Sequence, residues 1–178
     1  ERVLSATQRW SFARSSRIVV LDEFMAERVH AKGVPEKLLH INPPWSHDDE
    51  VHYDEAGRSR FRNMHGLADK FVVMYSGNHS PCHPLDTILA AAKKLRVEAG
   101  IQFVFVGGGS EFVKVQSFAQ RDSLPNVRTL PYQPLNELSA SLSAADLHLV
   151  VMGAPFVGMI HPCKIYNILN LGIPFLNL

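Results

Sequence analysis

Short apolar runs alternate with amphipathic segments along most of the chain. After residue 70 the apolar runs cover 71–76, 102–106, 127–130, 147–151 and 174–178. Helical patterns are predicted between them, over 85–98, from Ser110 onward, over 134–144 and over 162–171. Five short strands that alternate with helices predict an α/β fold with a Rossmann-like, doubly wound parallel sheet. In a strand order 3-2-1-4-5, a ligand would lie between the first and fourth strands, beyond their carboxyl ends.

The first 42 residues repeat this pattern on a smaller scale. Helices are predicted over 1–14 and 23–31, and short strands over 17–21 and 38–42. Asp22 is the expected N-cap of the second helix. Such a piece is too small to fold alone. Because the chain begins in a helical pattern and stops in a strand pattern, we expect a fragment of a longer protein.

Two consecutive prolines, Pro43 and Pro44, mark the main break in the pattern. They remove two backbone donors and favour extended backbone, and a polar, acidic stretch follows them. We therefore predict three parts: a first domain remnant at 1–42, a linker at 43–54 and a second domain at 55–178. The second domain opens with a basic helix at 55–65, whose arginines are expected to form a solvated face.

Composition excludes several classes of function. The formal net charge is +1, which gives no general case for binding nucleic acid. No apolar run reaches the length of about 18–20 residues that a membrane-spanning helix needs. Two cysteines are too few for a disulfide scaffold and favour a reducing, cytoplasmic location.

Two loops are expected to meet at the carboxyl ends of the first and fourth strands of the second domain. These are 77–84, which contains His79 and His83, and 152–163, which leads into the helix containing Lys164. The free N–H groups of a helix start attract anions, and a lysine in that first turn is unfavourable for the helix unless it serves a ligand. Lys164 is therefore a candidate phosphate contact, although its side chain could simply extend to solvent.

Glycines and histidines in these loops have competing interpretations. Gly77 is expected in a tight turn after the first strand. Gly107, Gly108 and Gly109 are expected to form a loop before an N-cap at Ser110. A zinc site is a weak alternative, because the five potential ligands fit no known spacing; they are His79, Cys82, His83, His161 and Cys163.

Motifs along nearly the whole chain resemble one enzyme family. They are residues 17–25 with 34–44, VMYSGNH at 73–79, LDTILAAA at 85–92, FVFVGGG at 103–109, NVRTLPY at 126–132, AADL at 144–147 and HPCKIYNILNLGIP at 161–174. In this order and spacing they are similar to the nucleotide-sugar-binding half of a GT-B glycosyltransferase. The nearest resemblance is to retaining family 4 enzymes of the exopolysaccharide and colanic-acid type.

The resemblance implies a function and a set of ligand contacts. Residues 1–42 would end the N-terminal GT-B domain, 43–54 would be the interdomain linker, and 55–178 would bind a nucleotide-diphosphate sugar. That sugar would be transferred to a glycan or lipid-linked acceptor, with no metal cofactor, and the fragment alone would be inactive. The donor contacts that it implies are Leu130, Tyr132, Cys163, Lys164 and Asn167. Gly77, Asn78, His79 and His83 are further candidate contacts, because their loop is expected to face the same crevice.

The chain departs from the family pattern at four positions. Met159 and Asn167 stand where family members usually carry two glutamates, and Asn78 and His83 stand where many carry an Arg and a Lys. Two alternatives therefore stay open: a nucleotide-sugar epimerase of the same build, and a non-catalytic module that has lost the enzyme's chemistry. The basic helix at 55–65 also suggests peripheral contact with a membrane surface.

Overall fold

A computed structural model of the protein describes residues 2–44 and 51–178. The chain divides into two compact units. The small unit comprises 1–45 and the returning segment 154–161, and the large unit comprises 46–153 and 162–178. The predicted boundaries at residues 42 and 54 stay predictions, and residues 45–50 of the proposed linker lie outside the described part of the chain.

The small unit contains a helix, a strand, a helix and a strand in the predicted order. These are α1 (Arg2–Arg14), β1 (Ile18–Val20), α2 (Glu23–His30) and β2 (Leu39–Ile41). The two strands pair in parallel, with Ile18 opposite Leu39. The predicted cap is confirmed: the Asp22 carboxylate accepts a 2.7 Å hydrogen bond from the Met25 N–H, which satisfies one of the free donors of the first turn.

The large unit alternates helices and strands. Its elements are α3 (Glu55–Met64), β3 (Phe71–Asn78), α4 (Asp86–Lys94), β4 (Ile101–Gly108), α5 (Phe112–Arg121), β5 (Val127–Leu130), α6 (Leu138–Ser143), β6 (Leu147–Val150), α7 (Lys164–Leu171) and β7 (Phe175–Asn177). In the described residues its strands form one parallel sheet in the order β5-β4-β3-β6-β7. The predicted order 3-2-1-4-5 and the α/β fold class are therefore confirmed.

Both faces of the central strands are buried. Val73, Tyr75 and Phe105 pack on one face against residues of α4 and α5. Val72, Met74, Val104 and Val106 pack on the other, against residues that include Phe61 of α3. Burial on both faces explains why these strands appear as continuous apolar runs in the sequence.

Several element ends differ from the prediction. The helix predicted over 85–98 ends at Lys94, and the one predicted over 134–144 is a short 3₁₀ turn, Leu135–Glu137, followed by α6. The last helix begins at Lys164 instead of Pro162, and Cys163 takes the N-cap position. None of the helices in the described residues combines the length and apolar character needed to cross a membrane.

The glycine run at 107–109 is mostly strand, not loop. Gly107 pairs with Gly77 and Gly108 pairs with Asn78, so β3 and β4 both extend two residues beyond the predicted ends. The helix that follows has Glu111 at its N-cap and no side-chain cap, so the predicted cap at Ser110 is wrong. Gly77 likewise continues its strand instead of forming a tight turn, with φ of 132°.

We expect Gly107→Ala to destabilise the large unit by about 2–3 kcal/mol. Gly107 has φ of 135°, and a Cβ there would overlap the carbonyl oxygen of Gly77. Urea unfolding would measure the loss. Gly100→Ala is the matched control, because a methyl group added at Gly100 would meet no heavy atom within 4 Å. Equal stability of the two variants would show that the close approach of these strand ends is unimportant.

The basic helix α3 is not a solvated face. The Arg58 guanidinium lies 2.5 Å from Asp146, and the Arg62 guanidinium lies 3.0 Å from it. Arg62 also donates to the Leu67, Ala144 and Lys70 carbonyls. The prediction of a solvated arginine face is therefore wrong for two of the three arginines, and only Arg60 is exposed. Their charge serves the fold, which weakens the case for membrane contact through this helix.

Candidate functional site: a cavity at the strand ends

A cavity of about 200 Å³ lies near the carboxyl ends of the central strands of the large unit. Strands β3 and β6 are neighbours there, and the winding of the sheet reverses between them. The lining residues come from β3, β4 and β6, from the segment after β5, and from α6 and α7: Ser76, Gly77, Val106, Tyr132, Gln133, Leu138, Ser141, Leu142, His148, Leu149, Lys164, Asn167 and Ile168. The reversal point is where such folds bind ligands.

Lys164, the first residue of α7, supplies an uncompensated positive charge to this cavity. Its Nζ atom is buried and has no hydrogen-bond partner among the described residues. It lies 3.8 Å from the centre of the Tyr75 ring. Burial lowers the pKa of the Lys164 amine to about 8. None of the lining residues, all within the described chain, is an Asp or Glu, so the cavity offers a cation without a carboxylate partner.

The histidines near Lys164 are neutral at pH 7. Burial lowers the pKa of His79 to about 4 and that of His148 to about 4, and the charge of Lys164 contributes to both shifts. Burial and the Lys164 charge also lower the pKa of His83. Lys164 is therefore the residue that gives the described cavity wall its positive charge at neutral pH.

Four of the sequence-predicted contacts line the cavity. They are Gly77, Tyr132, Lys164 and Asn167. Asn167 lies one turn after Lys164 on α7, which places both side chains on the same face of that helix. Gly77 lies next to Lys164, since a Cβ at Gly77 would be 3.2 Å from the Lys164 Nζ atom. The absence of a side chain there leaves the ammonium group room to meet a ligand.

The rings of His79 and His83 lie in the interior instead of on the cavity wall. The His79 ring packs edge-on against Tyr75 and Phe112, with ring centres 4.8 and 4.9 Å apart. His83 Nδ1 lies 2.7 Å from the Val151 carbonyl oxygen. The expectation that these rings face the crevice is wrong, because aromatic packing and this hydrogen bond hold them inside. Their contact with a ligand stays a prediction.

The remaining predicted contacts do not line the cavity. Asn78 is exposed at the end of β3, and Cys163 is exposed at the N-cap of α7. Leu130, the last residue of β5, packs against the buried cluster around Val104. These positions remain predicted backbone or side-chain contacts near the cavity rim.

The zinc alternative receives no support from the geometry. Among residues 2–44 and 51–178, no three His, Cys, Asp or Glu side chains come together in a way that could hold a metal ion. His161 instead lies 3.0 Å from Asp22 within the small unit. Cys82 and Cys163 are not joined in a disulfide.

Sequence reasoning missed four polar residues of the cavity: Ser76, Gln133, Ser141 and His148. Ser141 is buried, and its hydroxyl has no partner in the described structure. It occurs in a run of small residues that gives no sign of a site. His148 was detectable in principle, because it interrupts the apolar run of β6. Its Nε2 atom lies 3.0 Å from the Leu142 carbonyl oxygen.

The buried histidines predict a loss of stability in mild acid. A histidine whose pKa falls from 6.5 to about 4 on folding binds a proton first in the unfolded chain. Its stabilising effect is therefore complete above pH 6.5 and is lost as the pH falls toward 4. We expect the free energy of unfolding to drop by about 2 kcal/mol between pH 7.5 and 5.5, where carboxylates stay ionised.

Urea unfolding across this pH range would measure the drop. His79→Phe should reduce it by about half, while His52→Phe, at an exposed histidine, should leave it unchanged. A free energy of unfolding that stays constant from pH 7.5 to 5.5 would contradict the assignment of neutral histidines in the folded protein.

Comparison with known proteins agrees with the family resemblance. No protein-family model matches the chain. The chain is 30% identical over 173 residues to WcaI of Escherichia coli K12, whose name provisionally assigns it to colanic acid biosynthesis as a glycosyl transferase. The chain is homologous to this glycosyltransferase. The match covers 96% of the chain but 42% of WcaI, so the chain spans less than half of that relative's length.

Solved glycosyltransferases share the fold. HepE of Anabaena, solved with UDP-glucose, matches with a TM-score of 0.74 at 18% identity, over 92% of the chain and 44% of HepE. Sucrose-phosphate synthase of Thermosynechococcus elongatus matches with a TM-score of 0.75 at 15% identity, over 99% of the chain and 44% of its own length. WaaG, a glycosyltransferase involved in lipopolysaccharide biosynthesis, matches with a TM-score of 0.70 at 16% identity, over 90% of the chain and 44% of WaaG. At these identities the matches establish the GT-B fold.

The two positions at which the family resemblance implies glutamates lie in different units. Met159 is exposed and belongs to the small unit. Asn167 lines the cavity of the large unit. The cavity therefore keeps a polar hydrogen-bonding group at the second position, but without the negative charge of a glutamate.

Proposed function

We propose that the large unit binds the diphosphate of a nucleotide-sugar donor, as the donor-binding half of a glycosyltransferase. The observation that carries this proposal is the buried Lys164 ammonium, which meets no hydrogen-bond partner in the described residues and lies in a cavity at the reversal point of the sheet. A buried cation needs a counter-charge, and a diphosphate supplies one.

The rest of the cavity suits the other parts of such a donor. No side chain caps α7. The Ile165 and Tyr166 N–H groups donate to the Pro162 and Cys163 carbonyls, so α7 would attract the phosphate oxygens through the positive end of its dipole. Asn167 can hydrogen-bond the ribose hydroxyls, and the base would extend toward Tyr132 after β5. HepE was solved with UDP-glucose, so a UDP-sugar is the first candidate.

The proposed chemistry needs charge stabilisation more than a nucleophile. Sugar transfer leaves negative charge on the departing nucleotide diphosphate, and Lys164 with the positive end of the α7 dipole would stabilise it. We propose a retaining transfer to a glycan or lipid-linked acceptor, in the cytoplasm or at the cytoplasmic membrane face, without a metal. Because the chain covers 42% of WcaI, we propose that it binds donor but does not transfer sugar by itself.

Calorimetric titration of the chain with UDP-, GDP- and ADP-sugars tests this function. We expect one of them to bind with a stoichiometry of one and to be displaced by the matching nucleoside diphosphate. Sugar without nucleotide should not bind. Failure of every nucleotide sugar to bind would favour the non-catalytic module, and formation of an epimerised sugar would favour the epimerase.

A further inference from the structure

Lys164 is buried and charged without a carboxylate to hold it. Its ammonium group instead lies over the ring of Tyr75, 3.8 Å from the ring centre. Tyr75 is fully buried in the middle of β3. An aromatic face at this distance attracts a cation through the negative charge of its π system, and the attraction is strongest where water is excluded.

The other groups around Lys164 do not offer it a counter-charge. The titratable groups that interact electrostatically with Lys164 are His79, His83 and His148. Burial lowers the pKa of each histidine and so favours its neutral form. A protonated histidine would repel the lysine, so none of the three supplies a counter-charge. Tyr132 also lines the cavity, and its hydroxyl lies 3.4 Å from the Gly108 carbonyl oxygen. Within the described structure, the Tyr75 ring is therefore the feature best placed to stabilise the ammonium form.

We propose that the ring of Tyr75 is a positioning residue that holds the Lys164 ammonium in place and charged for an anionic ligand. A carboxylate in this role would compete with the ligand for the lysine, because it would neutralise the charge and occupy its hydrogen bonds. An aromatic face supplies no oxygen acceptor, so the N–H donors that point away from the ring stay available to the ligand. The role in donor binding rests on the function proposed above, but the effect on Lys164 does not.

Tyr75 has a second contact that must be separated from this role. Its hydroxyl donates a 2.9 Å hydrogen bond to the Asn78 carbonyl oxygen. The reference protein for the test is therefore Tyr75→Phe, which loses this hydrogen bond but keeps the ring. Replacing the ring by an aliphatic side chain would leave a cavity in the core, so a graded series of nearly isosteric rings is the better comparison.

The experiment incorporates phenylalanine with one, two and three ring fluorines at position 75 and measures the pKa of Lys164 by NMR of its ε-methylene group. Fluorine withdraws charge from the ring face and weakens its attraction for a cation. We expect the pKa to fall stepwise, by roughly one unit from phenylalanine to the trifluorinated ring, which is a tenfold change in the protonation equilibrium. Donor affinity at pH 7.5 should fall severalfold along the series and recover at pH 6.5.

The outcomes separate the two proposals. A pKa of Lys164 that does not change with ring fluorination overturns the role of Tyr75, whatever the donor does. A stepwise fall without donor binding by any of these proteins supports the role of Tyr75 and contradicts the proposed function. In a Lys164→Met background, fluorination should not change donor affinity; a change there would show that the ring acts through packing.

Discussion

Lys164→Met should weaken binding of the nucleotide-sugar donor by on the order of 30- to 100-fold, because a charge-assisted contact to phosphate contributes about 2–3 kcal/mol. Methionine retains the length of the side chain and its packing on Tyr75, but it removes the charge. Calorimetric titration of the chain at pH 7 would measure the change. Lys94→Met is the matched control, because Lys94 is exposed on α4 and does not line the cavity.

The same substitution should stabilise the fold. Lowering the pKa of Lys164 from 10.5 to about 8 corresponds to a net cost of about 3 kcal/mol at pH 7 for keeping the ammonium charged in the fold. Since the folded protein binds fewer protons between pH 8 and 10.5, this cost is complete below pH 8 and disappears as the pH rises to 10.5. We expect a gain of up to about 3 kcal/mol at pH 7 for the variant. Weaker binding together with lower stability would indicate general damage instead.

Asp146→Asn should destabilise the large unit by about 3–5 kcal/mol, because it leaves two largely buried guanidinium groups without a charged partner. Asp146 accepts hydrogen bonds from Arg58 and Arg62, and its other contact is a 2.7 Å bond from the Val72 N–H. It therefore joins α3 to the start of two neighbouring strands, β3 and β6. Urea unfolding at pH 7 would measure the loss.

The ionisation of Asp146 adds a pH dependence to this prediction. Burial alone would raise the pKa of its carboxyl group, but the Val72 N–H and the two guanidinium groups outweigh burial and lower it. The stabilising effect is thus present above the pKa of the unfolded chain and is lost as the pH falls through the folded pKa. Asp69→Asn, at an exposed aspartate, is the control and should change stability by less than about 0.5 kcal/mol. Equal effects of the two variants would contradict the role of Asp146.

The sheet could be predicted because its signals are local. Each strand is a short apolar run between glycines, prolines or helical patterns, and the rules for parallel connections leave few possible orders. The observed order β5-β4-β3-β6-β7 is the one assumed from the sequence. The cap at Asp22 could also be predicted, since it depends on residues only three positions apart.

The errors come from contacts between residues far apart in the sequence. The sequence around Arg58 and Arg62 suggests a run of solvated charges, because their partner, Asp146, is more than 80 residues away in the sequence. The glycine run predicts a loop at Gly107, because no neighbouring residue in the sequence indicates that its strand passes close to the Gly77 carbonyl. The sequence predicts His79 in a loop, but its ring is buried by packing against Phe112 of α5.

The candidate site was partly predictable for a similar reason. Lys164 and Gly77 lie at the ends of predicted elements, and the strand order brings those ends together. Ser141 and His148 line the same cavity from inside elements, where patterns of polarity indicate only burial. The pairing of Lys164 with the Tyr75 ring needed coordinates, because an aromatic residue in a buried strand is ordinarily just part of the core.

Proton uptake on donor binding at pH 8 tests the central claim most directly. Calorimetric titrations in two buffers with different ionisation enthalpies would give the number of protons taken up. With a pKa of about 8, about half of the Lys164 side chains are neutral at this pH, and a bound diphosphate would protonate them. We predict an uptake of roughly half a proton per donor for the unaltered chain and none for Lys164→Met. Donor binding without proton uptake, or with equal uptake by both proteins, would contradict the claim that Lys164 holds the diphosphate.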